Sequence, residues 1–366
     1  MERVFRSLKS DTMLVIPEEV YMKKLRTFTL PDTVSDSPAH RALGILIIAC
    51  WRKDGIIEVR RDEIQEQETR RAFEENQKFF ARPLDEKRRY VDDLTFSGYV
   101  ASGEEKKSSA KDFPEVFTIF PDISVSDERV RQEWPCHGPV PWPSEDFKNA
   151  MTAYIYTCSS IGHRLMQLTA LGMGLPLDTF TRLCRRPWNY MRVLQFPAAS
   201  VENTRGIGAH TDYDFFVISS QDLEKQGLFV RPPVEGEHRF RNWLPDESMR
   251  GVYETQEPWD LVEANPGVFT VFPGDMMQLV TDGYLLSTPH KVALFTSVRR
   301  AMPVFIGPDF DVRLRPHNKP DDAGFHYGEH VTNMHVSMYK DRSTSRRIVE
   351  KELLSKFLAR HEAQVA

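Results

Sequence analysis

Two imidazoles, a carboxylate and a guanidinium are the groups in this sequence on which chemistry could be built. The stretch Gly206-Ile207-Gly208-Ala209-His210-Thr211-Asp212-Tyr213 sets a histidine and an aspartate two residues apart. In an extended strand, residues i and i+2 point to one face, so both side chains can reach one metal ion. His290, in Ser287-Thr288-Pro289-His290-Lys291-Val292, offers a third ligand, and Arg299 follows it. Two histidines and one carboxylate on one face of octahedral iron(II) leave three adjacent positions open. A 2-oxo acid can take two and dioxygen the third. The far carboxylate of that acid needs a buried cation, and arginine suits it because its planar fork makes two parallel bonds and keeps its charge. Arg299 is the candidate. Arg300 is its competitor, since strand neighbours point oppositely and only one can face a cavity.

An HxD pair alone is weak, and the plainer reading is a surface turn whose aspartate caps an amide. The pair gains weight because it opens a strand-rich region, with a further histidine and an arginine downstream. His326, His330 and His335 compete for the third ligand position, but read as structural residues bonded to backbone. His137 lies in a proline-rich loop, and His163 falls on the expected buried face of a long helix.

The elements that must position these groups follow from pattern. Ser37-Pro38 predicts a helix start, with an end near Asp54-Gly55. Ile56–Val59 reads as a strand and Arg61–Phe80 as an amphipathic helix. Leu94–Asp112 is turn-rich, and Trp134–Pro143 is stiffened by four prolines. Ser144 caps a long helix towards Leu171. From Tyr190 the pattern turns to short strands: Tyr190–Phe196, Phe215–Ser219, Leu228–Arg231, Val268–Phe272, Met276–Leu279, His290–Leu294 and Ala301–Ile306. Strands of this kind between Gly and Pro turns suggest a sandwich or jelly roll. Segment 232–266 reads as a polar insertion, and Ser343–Glu362 as one charged helix.

With 366 residues and 40% hydrophobic content, the chain can bury a sizeable core. A net charge of −5 gives no sign of a nucleic-acid or membrane partner. The four cysteines are scattered and read as free thiols of a reducing compartment. No leader-like apolar run or membrane-length segment stands out, so a soluble cytoplasmic protein is expected.

Longer stretches then carry a resemblance. Leu94–Glu105, Asp112–Glu115, Trp134–Pro143, Arg205–Tyr213, Arg231–Glu237, Asn242–Pro245, Leu285–Val292 and His326-Tyr327-Gly328-Glu329-His330 are similar to the iron(II)/2-oxoglutarate oxygenases of the isopenicillin N synthase-like superfamily. Within them the chain resembles the ethylene-forming enzymes. The resemblance implies an α+β fold, a distorted double-stranded β-helix (jelly roll) with flanking α-helices. Residues 1–26 read as an appended arm of unknown order, followed by one oxygenase domain over 27–366. That domain would comprise a mainly helical part at 27–188, the core at 189–310 and a C-terminal segment at 311–366. The resemblance implies iron at His210, Asp212 and His290, 2-oxoglutarate on Arg299 with Arg192 beside it, and dioxygen as co-reactant.

The second substrate is where the sequence departs. In ethylene-forming enzymes L-arginine sits beside the iron. Glu105 and Tyr213 match residues of that site, and Phe305 belongs with them. Lys107 stands in place of a threonine, and Ser337 and Met338 in place of an arginine and a cysteine. Losing that arginine removes the fork for a substrate carboxylate, while a cationic Lys107 would repel a guanidinium unless it faces solvent. The expectation is an oxygenase of a different small amino acid or amine, with hydroxylation, desaturation and cyclisation all open. The alternatives are an ethylene former with a rearranged pocket and, more remotely, a cupin-like zinc hydrolase or ligand binder.

Overall fold

The protein is described from a computed structural model covering residues 22–105, 113–200, 204–223, 226–244, 247, 251–254 and 256–365. Two sheets carry it. The smaller runs Met22–Lys23, Asp260–Val262, Leu228–Val230, His290–Ala293, Arg205–His210. The larger runs Thr27–Phe28, Ile57–Arg60, Val268–Pro273, Phe216–Ser219, Val304–Ile306, Tyr190–Phe196, Glu115–Ile119, Gly98–Val100, and Arg299–Ala301 also pairs with Tyr190–Phe196. Apolar residues of both sheets and the surrounding helices form one continuous core, as a jelly roll with flanking helices requires.

The helices obey their caps. Pro38–Asp54 starts on Ser37, whose hydroxyl accepts the amide of His40 at 3.3 Å, and ends on Gly55 at φ 74°. Glu63–Phe80 carries a reciprocal capping box between Asp62 and Gln65. The 28-residue helix Glu145–Gly172 starts on Ser144. It crosses Pro38–Asp54 where a Cβ on Gly44 would lie 2.1 Å from the Leu168 carbonyl oxygen, so no side chain fits at that crossing.

Several expectations need correction. Met276–Leu279 is not a strand but part of the helix Asp275–Val280, all six residues of which are buried. Burial on every side removes the periodicity that separates helix from strand. Ala301–Ile306 divides into Arg299–Ala301 and Val304–Ile306. The break is at Met302-Pro303, where proline has no N–H for a ladder. The C-terminal helix is two, Ser343–Glu350 and Leu353–Val365, with Glu352 at φ 53° between them. His163 is exposed rather than buried. The 232–266 segment is not all insertion, because Asp260–Val262 returns to pair with Leu228–Val230. The end of the expected arm is also structured, since Lys23 bonds Asp54 at 3.0 Å and Asp260 at 2.6 Å. All four cysteines are free thiols. Among the described residues no helix is long and apolar enough to cross a membrane.

Candidate active site

His210 ends the strand Arg205–His210, and Asp212 follows just outside it. The neighbouring strand His290–Ala293 runs antiparallel, with His290 directly opposite His210. Sheet register therefore unites residues eighty positions apart in the chain. One ligand atom from each of His210, Asp212 and His290 lies within 4.8 Å of the others. The Asp212 carboxylate approaches His210 Nε2 at 3.6 Å and His290 Nε2 at 3.2 Å. Each imidazole meets a carbonyl through Nδ1, Gly208 O at 2.8 Å and Thr288 O at 3.2 Å. That contact favours the tautomer with Nε2 unprotonated, which is the form that could bind a metal ion.

Arg299 comes from the other sheet. It is 5% exposed and lies over the Phe196 ring at 5.3 Å. It reaches the small sheet, since a Cβ on Gly227 would lie 3.5 Å from its Cδ. Its Nη2 donates to Gln221 Oε1 at 3.3 Å, while Nε and Nη1 are enclosed with no hydrogen-bond partner among the described residues. Burial pulls the guanidinium down to about 10 from its usual range, with Asp222 opposing. A buried cation with unused donors is costly unless an anion completes it. The far carboxylate of a 2-oxo diacid fits that need. Arg300 is less buried, and its amide donates to Asp222 at 3.3 Å.

Arg192 and Glu105 form an ion pair, and the Tyr339 hydroxyl donates to the same Glu105 oxygen. Burial opposes the charge on Arg192, but Glu105, Tyr339, Tyr190 and Asp212 together outweigh it and raise the guanidinium further.

His210, Asp212, Arg192 and Tyr339 border a cavity of about 570 Å³, within the usual size of small-molecule sites, whereas His290 and Arg299 are not among its lining residues. His210, Asp212 and Tyr213 form one wall and Arg192 and Phe305 a second. The helix Tyr327–Met338 supplies the facing wall, including Ser337 and Met338. Glu105 is buried one step back, behind Arg192 and Tyr339. Lys107 lies outside the described residues.

A sequence model for the 2OG-Fe(II) oxygenase superfamily matches residues 188–308, and one for the N-terminal region of non-haem dioxygenases in morphine synthesis matches 28–145. A 2-oxoglutarate-dependent ethylene/succinate-forming enzyme of Ralstonia nicotianae is 49% identical over 338 residues, spanning 92% of this chain and 98% of the relative. The chain belongs to the 2OG-Fe(II) oxygenase superfamily. It is an Fe(II)/2-oxoglutarate-dependent dioxygenase. A homoarginine-6-hydroxylase of Arabidopsis thaliana is 26% identical over 71% of this chain and 68% of its own length. The oxygenase also shares its fold with a full-length Neurospora crassa protein solved in complex with alpha-KG, at a TM-score of 0.66 and 20% identity, over 85% of this chain and 95% of that one.

Beneath the oxygenase's ligand loop lies a support that sequence reading missed. The turn Pro273-Gly274-Asp275 bonds the loop backbone, Asp275 N to Asp212 O at 2.8 Å and Gly274 N to Phe215 O at 3.0 Å. A Cβ on Gly274 would lie 2.3 Å from Asp214 O, so only glycine permits this approach. Two fully buried carboxylates flank the turn. Asp214 accepts from the Tyr327 hydroxyl, and Asp275 accepts from Asn242 at 3.2 Å. Burial pushes both up to about 7 against those hydrogen bonds. Asn242 thereby ties the polar connecting segment to the ligand loop, and Tyr327 ties the cavity helix to it. Only the motif stretches containing Asn242 and Tyr327 hinted at these roles.

Proposed function

We propose that this oxygenase oxidises a small amino acid or amine, with His210, Asp212 and His290 holding iron(II) and Arg299 holding the far carboxylate of 2-oxoglutarate. Bound iron would let dioxygen act as the oxidant. Two electrons are drawn from 2-oxoglutarate as it becomes succinate and carbon dioxide and takes up one oxygen atom. Two more come from a substrate C–H bond, the other oxygen atom ending in the product or in water. The chain's own residues position. His210, Asp212 and His290 would hold the ion, and His210 and Asp212 also line the cavity. Arg192, kept in place by Glu105, is the second cation beside the cosubstrate. Tyr213, Phe305, Ser337 and Met338 face the prime substrate, and Phe305 is itself fixed by stacking on Tyr190 at 4.4 Å.

The observation that carries this reading is the lining of the cavity. It joins the strand-borne ligands to a helix wall, and its charged side chains are mostly spent: Arg192 on Glu105, and Glu247 on Arg241 at 3.0 Å. Among the described residues the charge at this wall without an ion pair is a carboxylate, Glu329, which suits a cationic small molecule. Purified protein with iron(II), 2-oxoglutarate and air should release succinate faster when the right amino acid or amine is added, with an oxidised product visible by mass spectrometry. Succinate release indifferent to every amino acid and amine tried would sink the reading.

The Ralstonia relative favours a second reading, in which 2-oxoglutarate itself is fragmented to ethylene. Gas chromatography of the headspace after adding L-arginine separates the two. Ethylene at the level of succinate would establish the second; its absence, with succinate still formed, would remove it.

A further inference from the structure

The helix Tyr327–Met338 turns one face to the cavity. Glu329, Asn333 and Ser337 recur at four-residue spacing, with His330 and Met334 beside them, and all five line it. Three histidines sit at or on this helix, and two of them have local duties. His326 Nδ1 accepts the Glu329 amide at 3.3 Å as the N-cap, and His335 Nδ1 meets Val331 O at 2.9 Å. His330 differs. It is 7% exposed and lines the cavity, and its buried Nε2 has no hydrogen-bond partner among the described residues. The ring is wedged edge-on against Tyr213 at 5.1 Å and Phe325 at 4.9 Å, so its direction is fixed. Nε2 itself is sealed from the cavity, a feature shared with His326, so Nδ1, which makes no hydrogen bond among the described residues, is the nitrogen a ligand can meet.

We propose that His330 and Glu329 form the corner that receives the cationic nitrogen of the prime substrate. The inference rests on the amine reading above and deepens it. Burial, reinforced by His335, keeps the His330 ring neutral down to about 4, so at neutral pH it offers one lone pair. Glu329 is half-buried and forms no ion pair among the described residues. An ammonium or guanidinium can donate to that carboxylate and to the imidazole Nδ1, with the Asn333 and Ser337 oxygens about one and two turns further along. A carboxylate in the same corner would meet the Glu329 charge and find no cation, since Arg192 is already matched by Glu105. The corner therefore selects by charge and by hydrogen-bond polarity together.

The test uses pairs of probes that differ only in the cation: L-lysine against L-norleucine, and L-arginine against L-citrulline. Each is titrated calorimetrically into anaerobic protein loaded with iron(II) and 2-oxoglutarate. At least one cationic member should bind about tenfold or more tightly than its neutral partner. That preference should shrink to within about threefold in Glu329→Gln and His330→Phe, while His330→Gln, which keeps an acceptor, retains most of it. Circular dichroism and continued 2-oxoglutarate binding verify that the variants are folded. A preference surviving intact in both Glu329→Gln and His330→Phe overturns the corner and leaves the amine reading standing. Equal binding of charged and neutral partners to the wild type also overturns it. Failure of all four probes to bind overturns the corner and the amine reading together.

Discussion

The strand Arg205–His210 and the helix Tyr327–Met338 face each other across one cavity, yet they are held in different ways. The strand is fixed by a backbone ladder to His290–Ala293, by carbonyl contacts to both imidazoles, and by the Gly274 turn beneath Asp212. Nothing in that set depends on the identity of the substrate. The helix has one short backbone pairing at its start, Phe325–His326 on Arg313–Leu314, and is otherwise fixed by side chains: the Tyr327 bond to Asp214, the His326 cap, and ring contacts of His330 and His335. Side-chain contacts can be exchanged one at a time, whereas a ladder cannot. The metal wall is built to stay the same, and the opposite wall can change its substrate without disturbing the metal.

Removing a ligand should have the largest effect. Asp212→Ala takes away the only carboxylate of the triad and leaves two neutral imidazoles to bind a divalent ion. Iron content by elemental analysis should fall to background, and succinate release with it. Iron retained at wild-type stoichiometry would show that the ion sits elsewhere. Next comes Arg299→Ala. Deleting a buried guanidinium that pairs with a carboxylate costs about 2–5 kcal/mol, so the 2-oxoglutarate requirement should rise on the order of 100-fold. The iron requirement should barely move. An unchanged 2-oxoglutarate dependence would assign the anchoring to Arg300 or Arg192.

The opposite wall should respond separately. Ser337→Arg places a fork on the cavity face of the helix. It should change the requirement for the prime substrate about tenfold in either direction, according to whether that substrate brings a carboxylate or a cation. The 2-oxoglutarate requirement should stay within about twofold. If both shift together, the two walls are not independent and the comparison fails.

The same contrast explains what was legible in the chain. His210, Asp212, His290 and Arg299 could be read from residue type and spacing, because strand alternation and ligand chemistry leave few options. The caps at Ser37 and Ser144 were legible for a similar reason, being local. Met276–Leu279 was not, because complete burial erases periodicity. The pairing of Arg192 with Glu105 joins residues 87 positions apart, and no local pattern encodes it. Sequence gives the histidines of 326–335 one and the same structural reading. Two of them do bond backbone, and only the third dimension separates His330 from its neighbours.

The smallest expected effect concerns how the helix wall is anchored. His326 caps the helix as a hydrogen-bond acceptor, a duty that only its neutral form can perform. Burial, with His361 and Arg313 adding to it, holds its folded value down to about 4, below the ordinary 6.5 of the unfolded chain. Between those two values the unfolded chain binds the proton and the folded one does not. Stability from this group is therefore fully present above about pH 6.5 and is lost as pH falls through about 4. His326→Asn keeps a capping acceptor and removes the titration. In chemical unfolding of the metal-free protein, wild type should lose about 1–2 kcal/mol more than this variant between pH 6.5 and 4, after allowance for screening by nearby solvent. Because the two proteins share every other titrating group, the difference isolates this cap. Parallel pH profiles would mean that the helix is held by Tyr327 and the ring contacts alone, which would make its anchoring as indifferent to protons as a backbone ladder.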